Sequence, residues 1–250
     1  MSLPADRFTP SDFRVGNVFS RAWWVFSRNF FTFTLVTAFA SVPSLLMPAN
    51  PLEHQGAAGL LVLLLIVLGT LSQAVVLYAA FQVMRGRPVD LAESARIGLR
   101  QVFFLVVLSI VVTVLATLGS ALLIFPGIML FMMWFVATPV CVVERLGPFA
   151  SMGRSRELTK GHRWKLFGML LLLLIPALII GAIIGVIAVA ATGSFLTLAS
   201  AMTTTVGQIV NLAWNAVWTA FFAILIVVTY HDLRVAKEGV DTDQIAAVFE

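Results

Sequence analysis

The sequence predicts an all-α polytopic membrane protein with six transmembrane helices and amphipathic helices on its cytoplasmic side. Three observations predict it. Of the 250 residues, 60% are hydrophobic and 11% charged, against roughly 25% charged in a soluble domain, so a soluble fold could not cover its apolar surface. Six apolar segments, at 30–47, 59–82, 102–124, 127–143, 166–191 and 204–230, stand between the charged stretches. A hydrocarbon core of ~30 Å takes about 20 helical residues to cross. The runs at 60–68 and 170–175 are continuously apolar, which is not the alternation of a barrel strand. Helices and closed barrels are the two ways to pair backbone amides in lipid, so the spans are helices.

The charges orient the chain. Arg7, Arg14, Arg21 and Arg28 precede the first segment, and Arg85, Arg87, Arg96 and Arg100 separate the second from the third. Arg145, Arg154, Arg156, Lys160, Arg163 and Lys165 separate the fourth from the fifth, and Arg234 and Lys237 follow the sixth. The three remaining gaps hold no Lys or Arg. Basic loops stay in the cytoplasm, so both termini are expected there, with Glu53 and His54 on the far side. No apolar stretch with a small-residue cleavage site precedes the first span, which is therefore expected to be retained. Cys141 is the single cysteine and cannot close an intrachain disulfide.

Taken in order, residues 1–29 read as a cytoplasmic interfacial helix, 30–230 as the six-helix transmembrane domain and 231–250 as a cytoplasmic tail. Thr9-Pro10-Ser11-Asp12 supplies cap chemistry for the first helix. Val15, Phe19, Ala22, Trp23, Phe26 and Phe30 share one helical face, with Arg14, Asn17, Arg21 and Arg28 opposite. Aromatics and arginines so divided suit the head-group boundary, which makes Arg14, Arg21, Arg28, Trp23 and Phe26 the interfacial residues. Packing of that face on protein is the alternative. Between 85 and 101, Gly86 and Pro88 end the second span, and Asp90 with Glu93 forms a capping box for a short helix through Gly98. Gly147-Pro148 starts a third surface helix, which Gly161 stops.

Each surface helix then leads into a hairpin of spans, giving three candidate repeats: Ser11 to Met84, Asp90 to Val143 and Pro148 to Tyr230. Each hairpin starts with a basic residue and aromatics, at Arg28-Asn29-Phe30-Phe31, Arg100-Gln101-Val102-Phe103-Phe104 and Arg163-Trp164-Lys165-Leu166-Phe167. Such anchors recur at any span start, so chance similarity competes with a true repeat. Pro43, Pro139 and Pro176 fall inside spans one, four and five and should bend them. Gly181 and Gly185 form a small-xxx-small face.

Chemistry is sparse. No ionisable residue lies in the middle of a span, which weakens ion-coupled transport. Gln208, Asn211, Asn215 and Thr219 form one stripe of the sixth span, and Gln73 is the main polar residue of the second. Interhelical hydrogen bonding is one use of this stripe and a pore or head-group lining is the other. His231 and Asp232 mark where the sixth span leaves the membrane; one His and one carboxylate do not make a metal or acid–base site. Glu144 is placed to pair with a basic neighbour. The GxSxG, HExxH and GxxxxGK[ST] patterns are absent. Arg154, Arg156, Lys160, His162, Arg163 and Lys165 form the strongest local cluster. Orientation alone would require something like it, and anionic lipid head groups are the specific ligand it would take. No cofactor, metal or nucleic-acid partner is expected.

The segments Pro126-Gly127-Ile128-Met129-Leu130, Glu144-Arg145-Leu146-Gly147-Pro148 and 155–164, followed by Tyr230-His231-Asp232-Leu233-Arg234 with Glu238-Gly239, resemble a group of bacterial and archaeal membrane proteins. These are the glycerophosphoryl diester phosphodiesterase membrane-domain-like proteins, including the YciC-like group. The resemblance is best over 126–167 and 230–239. It implies a six-helix membrane domain, which in some relatives is fused to a soluble phosphodiesterase. No stretch here is long and polar enough to form that domain, and no catalytic residues come with the resemblance. The expectation is a non-enzymatic scaffold or accessory subunit that engages anionic lipids, another membrane protein or a second copy of itself. The alternative is a permeation path for a neutral or lipid-like substrate.

Overall fold

The structure is a computed structural model and describes residues 13–47, 54–122, 124–192 and 204–238. Among these residues the regular structure is entirely helical. The elements are α1 (Val15–Arg28), α2 (Phe30–Ser41), a 3₁₀ turn (Val42–Leu46), α3 (Gln55–Met84), α4 (Leu91–Leu122), α5 (Ile124–Met133), α6 (Ala137–Glu144), α7 (Pro148–Thr159), α8 (Arg163–Thr192) and α9 (Thr205–Glu238). Five helical stretches are long and apolar enough to cross a membrane: α3, α4, the run 127–144, α8 and α9. A sixth is reached only if α1 and 30–46, whose two arms meet at 84°, count together as one span. The chain is an all-α polytopic membrane protein. The Thr9–Asp12 cap residues, Glu53 and the tail beyond Glu238 lie outside the described residues.

The first span is short. Pro43 has no amide proton to donate to Phe39, so α2 tightens into the 3₁₀ turn at Val42. The sharp bend comes earlier, at Asn29, and sets α1 across the direction of α2. Thr37 ties α2 to α9 by donating to the carbonyl of Ala216 at 2.8 Å.

α3 ends in a Schellman motif: Gly86, at φ 72, donates to Val83, and Arg87 donates to Gln82. The next helix departs from the sequence expectation. A separate surface helix over 90–98 does not form, because α4 runs unbroken from Leu91 to Leu122. The stretch from Gly98 to Val102 carries no proline and no positive-φ residue to stop it. The capping box is also only half made. Asp90 Oδ1 accepts from the amide of Glu93 at 3.0 Å, but Glu93 turns to α3, where Tyr78 and Gln82 both donate to it at 3.0 Å. Gln82 Oε1 then takes the amide of Asp90 at 2.8 Å. Only the first and third candidate repeats therefore have a surface helix set off from the span that follows.

The fourth span is broken rather than bent. Pro139 cannot donate to Phe135, and the helix opens at 134–136 between α5 and α6. The carbonyl of Met133 freed at this break is taken by two hydroxyls of α7, Ser155 at 3.0 Å and Thr159 at 3.2 Å. α7 starts as expected, with Gly147 at the cap and Pro148 in the first turn, and Gly161 at φ 89 turns the chain into α8. Pro176 lies inside α8 without ending it.

The core occupies one end of the bundle. α3 is buried continuously from Ala74 to Met84, α9 from Ala223 to Leu233, and Val136, Val140, Val142, Val143, Leu166 and Met169 close the space between them. Toward the other end the helices expose their apolar residues: Leu60 and Leu63 on α3, Val114 and Leu118 on α4, Val206 and Val210 on α9. The packed end is also the end that carries the basic residues.

Candidate functional site

Two polar networks lock the packed end. The first joins the two extremes of the described chain. On α1 the buried stripe is Val18, Ala22, Val25 and Phe26, spaced for one helical face. Centring the stripe there corrects the sequence reading in two ways. Arg21 falls on the flank of the buried face instead of opposite it, and Trp23 turns outward, 62% exposed. Arg21 donates to Asp232 Oδ1 of α9 at 2.6 Å, with side chains 11% and 6% exposed. His231 Nδ1 lies 3.3 Å from the same oxygen. Phe26 packs edge-on against Phe221 of α9 at 5.5 Å and Phe30 at 5.2 Å. Arg14 is the N-cap of α1 and exposed. Arg28 is exposed, with its guanidinium 5.4 Å from the ring centre of Trp24. Of the five interfacial residues, Arg21 and Phe26 thus hold the helix to the protein, and Arg14, Trp23 and Arg28 stay outside.

The second network is a closed ring of five side chains. Arg154 of α7 donates to Glu144, the last residue of α6, at 3.1 Å and also to Glu238 of α9. Arg234 donates to Glu238 at 3.0 Å and to the hydroxyl of Tyr230 at 3.1 Å. Tyr230 donates back to Glu144 at 2.9 Å. Two arginines face two glutamates, so the ring is charge-balanced. Burial alone would lower the pKa of Arg154, but the hydrogen bond to Glu238 and the charge of Glu144 outweigh it and hold the guanidinium above its ordinary value.

The predicted head-group cluster is divided by this arrangement. Arg154 is bonded within the ring, so its charge is answered by protein. Arg156 and Lys160 are exposed. Lys165 donates to the carbonyl of Phe13 at 3.2 Å. Arg163 is half-buried, and its Nε has no hydrogen-bond partner. His162 is half-buried edge-on to Phe13 at 5.4 Å. Burial first, then the charges of Lys165 and Lys237, push its imidazole below the ordinary value.

The intramembrane stripe is not gathered into the core. Gln208, Asn211 and Asn215 are exposed on α9, and Asn215 bonds back to Asn211 through the carbonyl and the side chain, both at 2.9 Å. Gln73 is half-buried on α3, and among the described residues no hydrogen bond joins it to Asn211 or Asn215. A Cβ on Gly181 or Gly185 would meet nothing within 4 Å. Among the described residues no group of three His, Cys, Asp or Glu is placed to hold a metal.

Sequence reasoning finds Glu144 as a pairing residue and Tyr230-His231-Asp232-Leu233-Arg234 as a span exit, but not their roles as the locks of the bundle. The signal available was the run of hydrogen-bonding side chains ending an otherwise apolar helix. Such groups are buried only when paired.

Fold and site define a polytopic α-helical membrane protein whose helices are fastened at their charged end. A family model described as a domain of unknown function, DUF7847, matches residues 97–233, 137 of the 250 residues. The chain belongs to that family. The match spans α5, α6 and α7, and of the α9 residues in the two networks it includes Tyr230, His231 and Asp232 but not Arg234 or Glu238. No curated protein and no solved structure matches the chain.

Proposed function

We propose that the protein is a non-enzymatic scaffold or accessory subunit of the bacterial inner membrane, docking a partner membrane protein along α8. The observation that carries this reading is the isolation of α8. Its base is fastened in the core by Leu166 and Met169, both fully buried. Beyond Met169 no described side chain of α8 is buried. Leu172, Ile175, Ile179, Ile183 and Val186 are exposed along one side, and Leu174 and Leu178 on the other. An apolar helix fixed at one end and open on several sides is suited to packing against a partner helix, with Gly181 and Gly185 allowing close approach.

The one-sided basic residues support placing the charged end and both termini in the cytoplasm. There the exposed Arg156 and Lys160 would meet anionic lipid head groups. The resemblance over 126–167 and 230–239 supports a membrane domain that works without a catalytic site of its own. The permeation alternative has weaker support, since its polar stripe lies on the outside of α9.

The test is gentle purification with photo-crosslinking residues at Leu178 and Ile183 and a control at Leu64 of α3, followed by mass spectrometry of the adducts. One stoichiometric protein partner at the α8 positions and none at Leu64 is the expected result. Lipid adducts alone at all three positions would overturn the docking role.

A further inference from the structure

We infer that the groove between α5 and the base of α8 seats an acyl chain of an anionic phospholipid, with the lipid phosphate on Arg163. The groove is a cavity of about 40 Å³, lined by Ile128, Met129 and Met132 of α5 and by Arg163, Trp164 and Phe167 of α8. An enclosed water needs about two to four polar partners, which walls of Ile, Met and Phe do not offer. A methylene chain suits such walls, and methionines adapt to an irregular occupant. The site deepens the proposed contact of the charged end with anionic lipid and shares none of the α8 docking positions.

The groove lies at the level of a lipid head group. Arg163 is the first residue of α8, at the entry of the apolar stretch Arg163–Ile187. Trp164 beside it is 67% exposed, as suits an aromatic at the membrane boundary, and meets Phe167 edge-on at 6.0 Å.

Charge complementarity names the head group. The Nε of Arg163 is buried with no hydrogen-bond partner, and among the described residues no carboxylate pairs with this guanidinium. A buried donor left without a partner is costly, and a phosphate oxygen would satisfy it. Guanidinium groups take phosphate in paired hydrogen bonds. The charges of Lys160, Arg154 and Arg163 all reach the exposed ammonium of Lys237, and Glu157 opposes them. Arg154 is answered within its ring, which leaves Lys160, Arg163 and Lys237 to outnumber Glu157. The ends of α7 and α9 thus add positive charge beside the first turn of α8, which favours a head group of net negative charge over a zwitterionic one.

The experiment uses the purified full chain and native mass spectrometry of lipids retained from equimolar phosphatidylglycerol and phosphatidylcholine of the same acyl chains. Phosphatidylglycerol is expected to be retained about fivefold over phosphatidylcholine, the scale of one near-surface charge. Arg163→Gln should remove most of that preference. Arg100→Gln, which deletes an exposed charge of α4 outside the groove, should leave it unchanged. Met129→Trp, which fills the groove, should lower retention of phosphatidylglycerol to a similar degree, and excess inorganic phosphate should not displace the lipid. A thermal melt of each variant reports its folding. If Arg163→Gln melts early, Lys160→Gln combined with Lys237→Gln takes its place, and Ile128→Trp replaces Met129→Trp in the same way, with the same expectations. Equal retention of the two lipids by the wild type, or full retention in the folded groove-filling variant, overturns the assignment. So does displacement by inorganic phosphate, which would make the ligand a free anion. Equal losses in Arg163→Gln and Arg100→Gln would leave only general charge attraction and overturn the site as well. Crosslinks at Leu178 and Ile183 are read separately, so the docking role stands or falls on its own.

Discussion

Arg21 and Asp232 lie 211 residues apart in sequence and meet at 2.6 Å, both largely shielded from solvent. Removing one partner from a buried pair strands the other charge, at a cost of about 3–5 kcal/mol. Asp232→Ala and Arg21→Ala are each expected to lower the thermal midpoint of the detergent-purified protein sharply. The double substitution should cost less than the sum of the two. A double-mutant cycle on thermal melts checks this, and strictly additive losses would show that the pair contributes no coupling.

The ring through Arg154 makes a demand that charge alone does not meet. The guanidinium spans two carboxylates on different helices, whereas the three donors of an ammonium radiate from one nitrogen. Arg154→Lys should therefore destabilise nearly as much as Arg154→Ala. Tyr230→Phe should cost about 1–3 kcal/mol by leaving Arg234 and Glu144 each one partner short. Chemical denaturation of the three variants measures both effects; full stability of the lysine variant would contradict the role given to the fork.

At the break between α5 and α6, the carbonyl of Met133 depends on α7. Ser155→Ala together with Thr159→Val removes both hydroxyls that reach it. The expected loss is about 1–3 kcal/mol, with most of it appearing only in the double variant because either hydroxyl can serve alone. Hydrogen exchange should show α7 opening first.

His162 makes stability depend on pH with a definite sign. Its folded pKa is lowered, by burial and then by Lys165 and Lys237, so the unfolded chain binds the proton more readily. Stability is then fully present above the unfolded value of about 6.5 and declines as pH falls below it. His162→Phe keeps the edge contact to Phe13 and removes the titration. The melting midpoint of the wild type should drop more than that of the variant between about pH 7.5 and pH 5.5. Identical slopes for the two proteins would remove His162 from the account.

Helix content and the five long spans are legible in the sequence because a lipid-facing helix advertises itself by sheer length of apolar run. The corners at Gly86, Gly147-Pro148 and Gly161 are legible for a local reason, since a positive φ or a missing amide proton acts within its own turn. The continuity of α4 is not, because an amphipathic stretch over 90–98 looks the same whether it stops or continues into a span. The absence of a breaker before Val102 is the deciding feature. The two networks are legible only as ingredients. Glu144, Arg154 and Tyr230 are separated by long stretches of chain, and nothing in the periodicity of one helix states which residue of another it will face. Arg21 shows the same limit, since a one-residue shift in the centre of the buried stripe changes it from a head-group anchor to a lock.

The pairing of α1 and α2 with α9 also has a consequence in time. Synthesis at 5–20 residues per second puts roughly 10–40 s between the making of Arg21 and of Asp232. For that interval Arg21 lacks Asp232, and Thr37 lacks the carbonyl of Ala216. A chain truncated before α9 would carry every earlier described span and still lack the Arg21–Asp232 clasp.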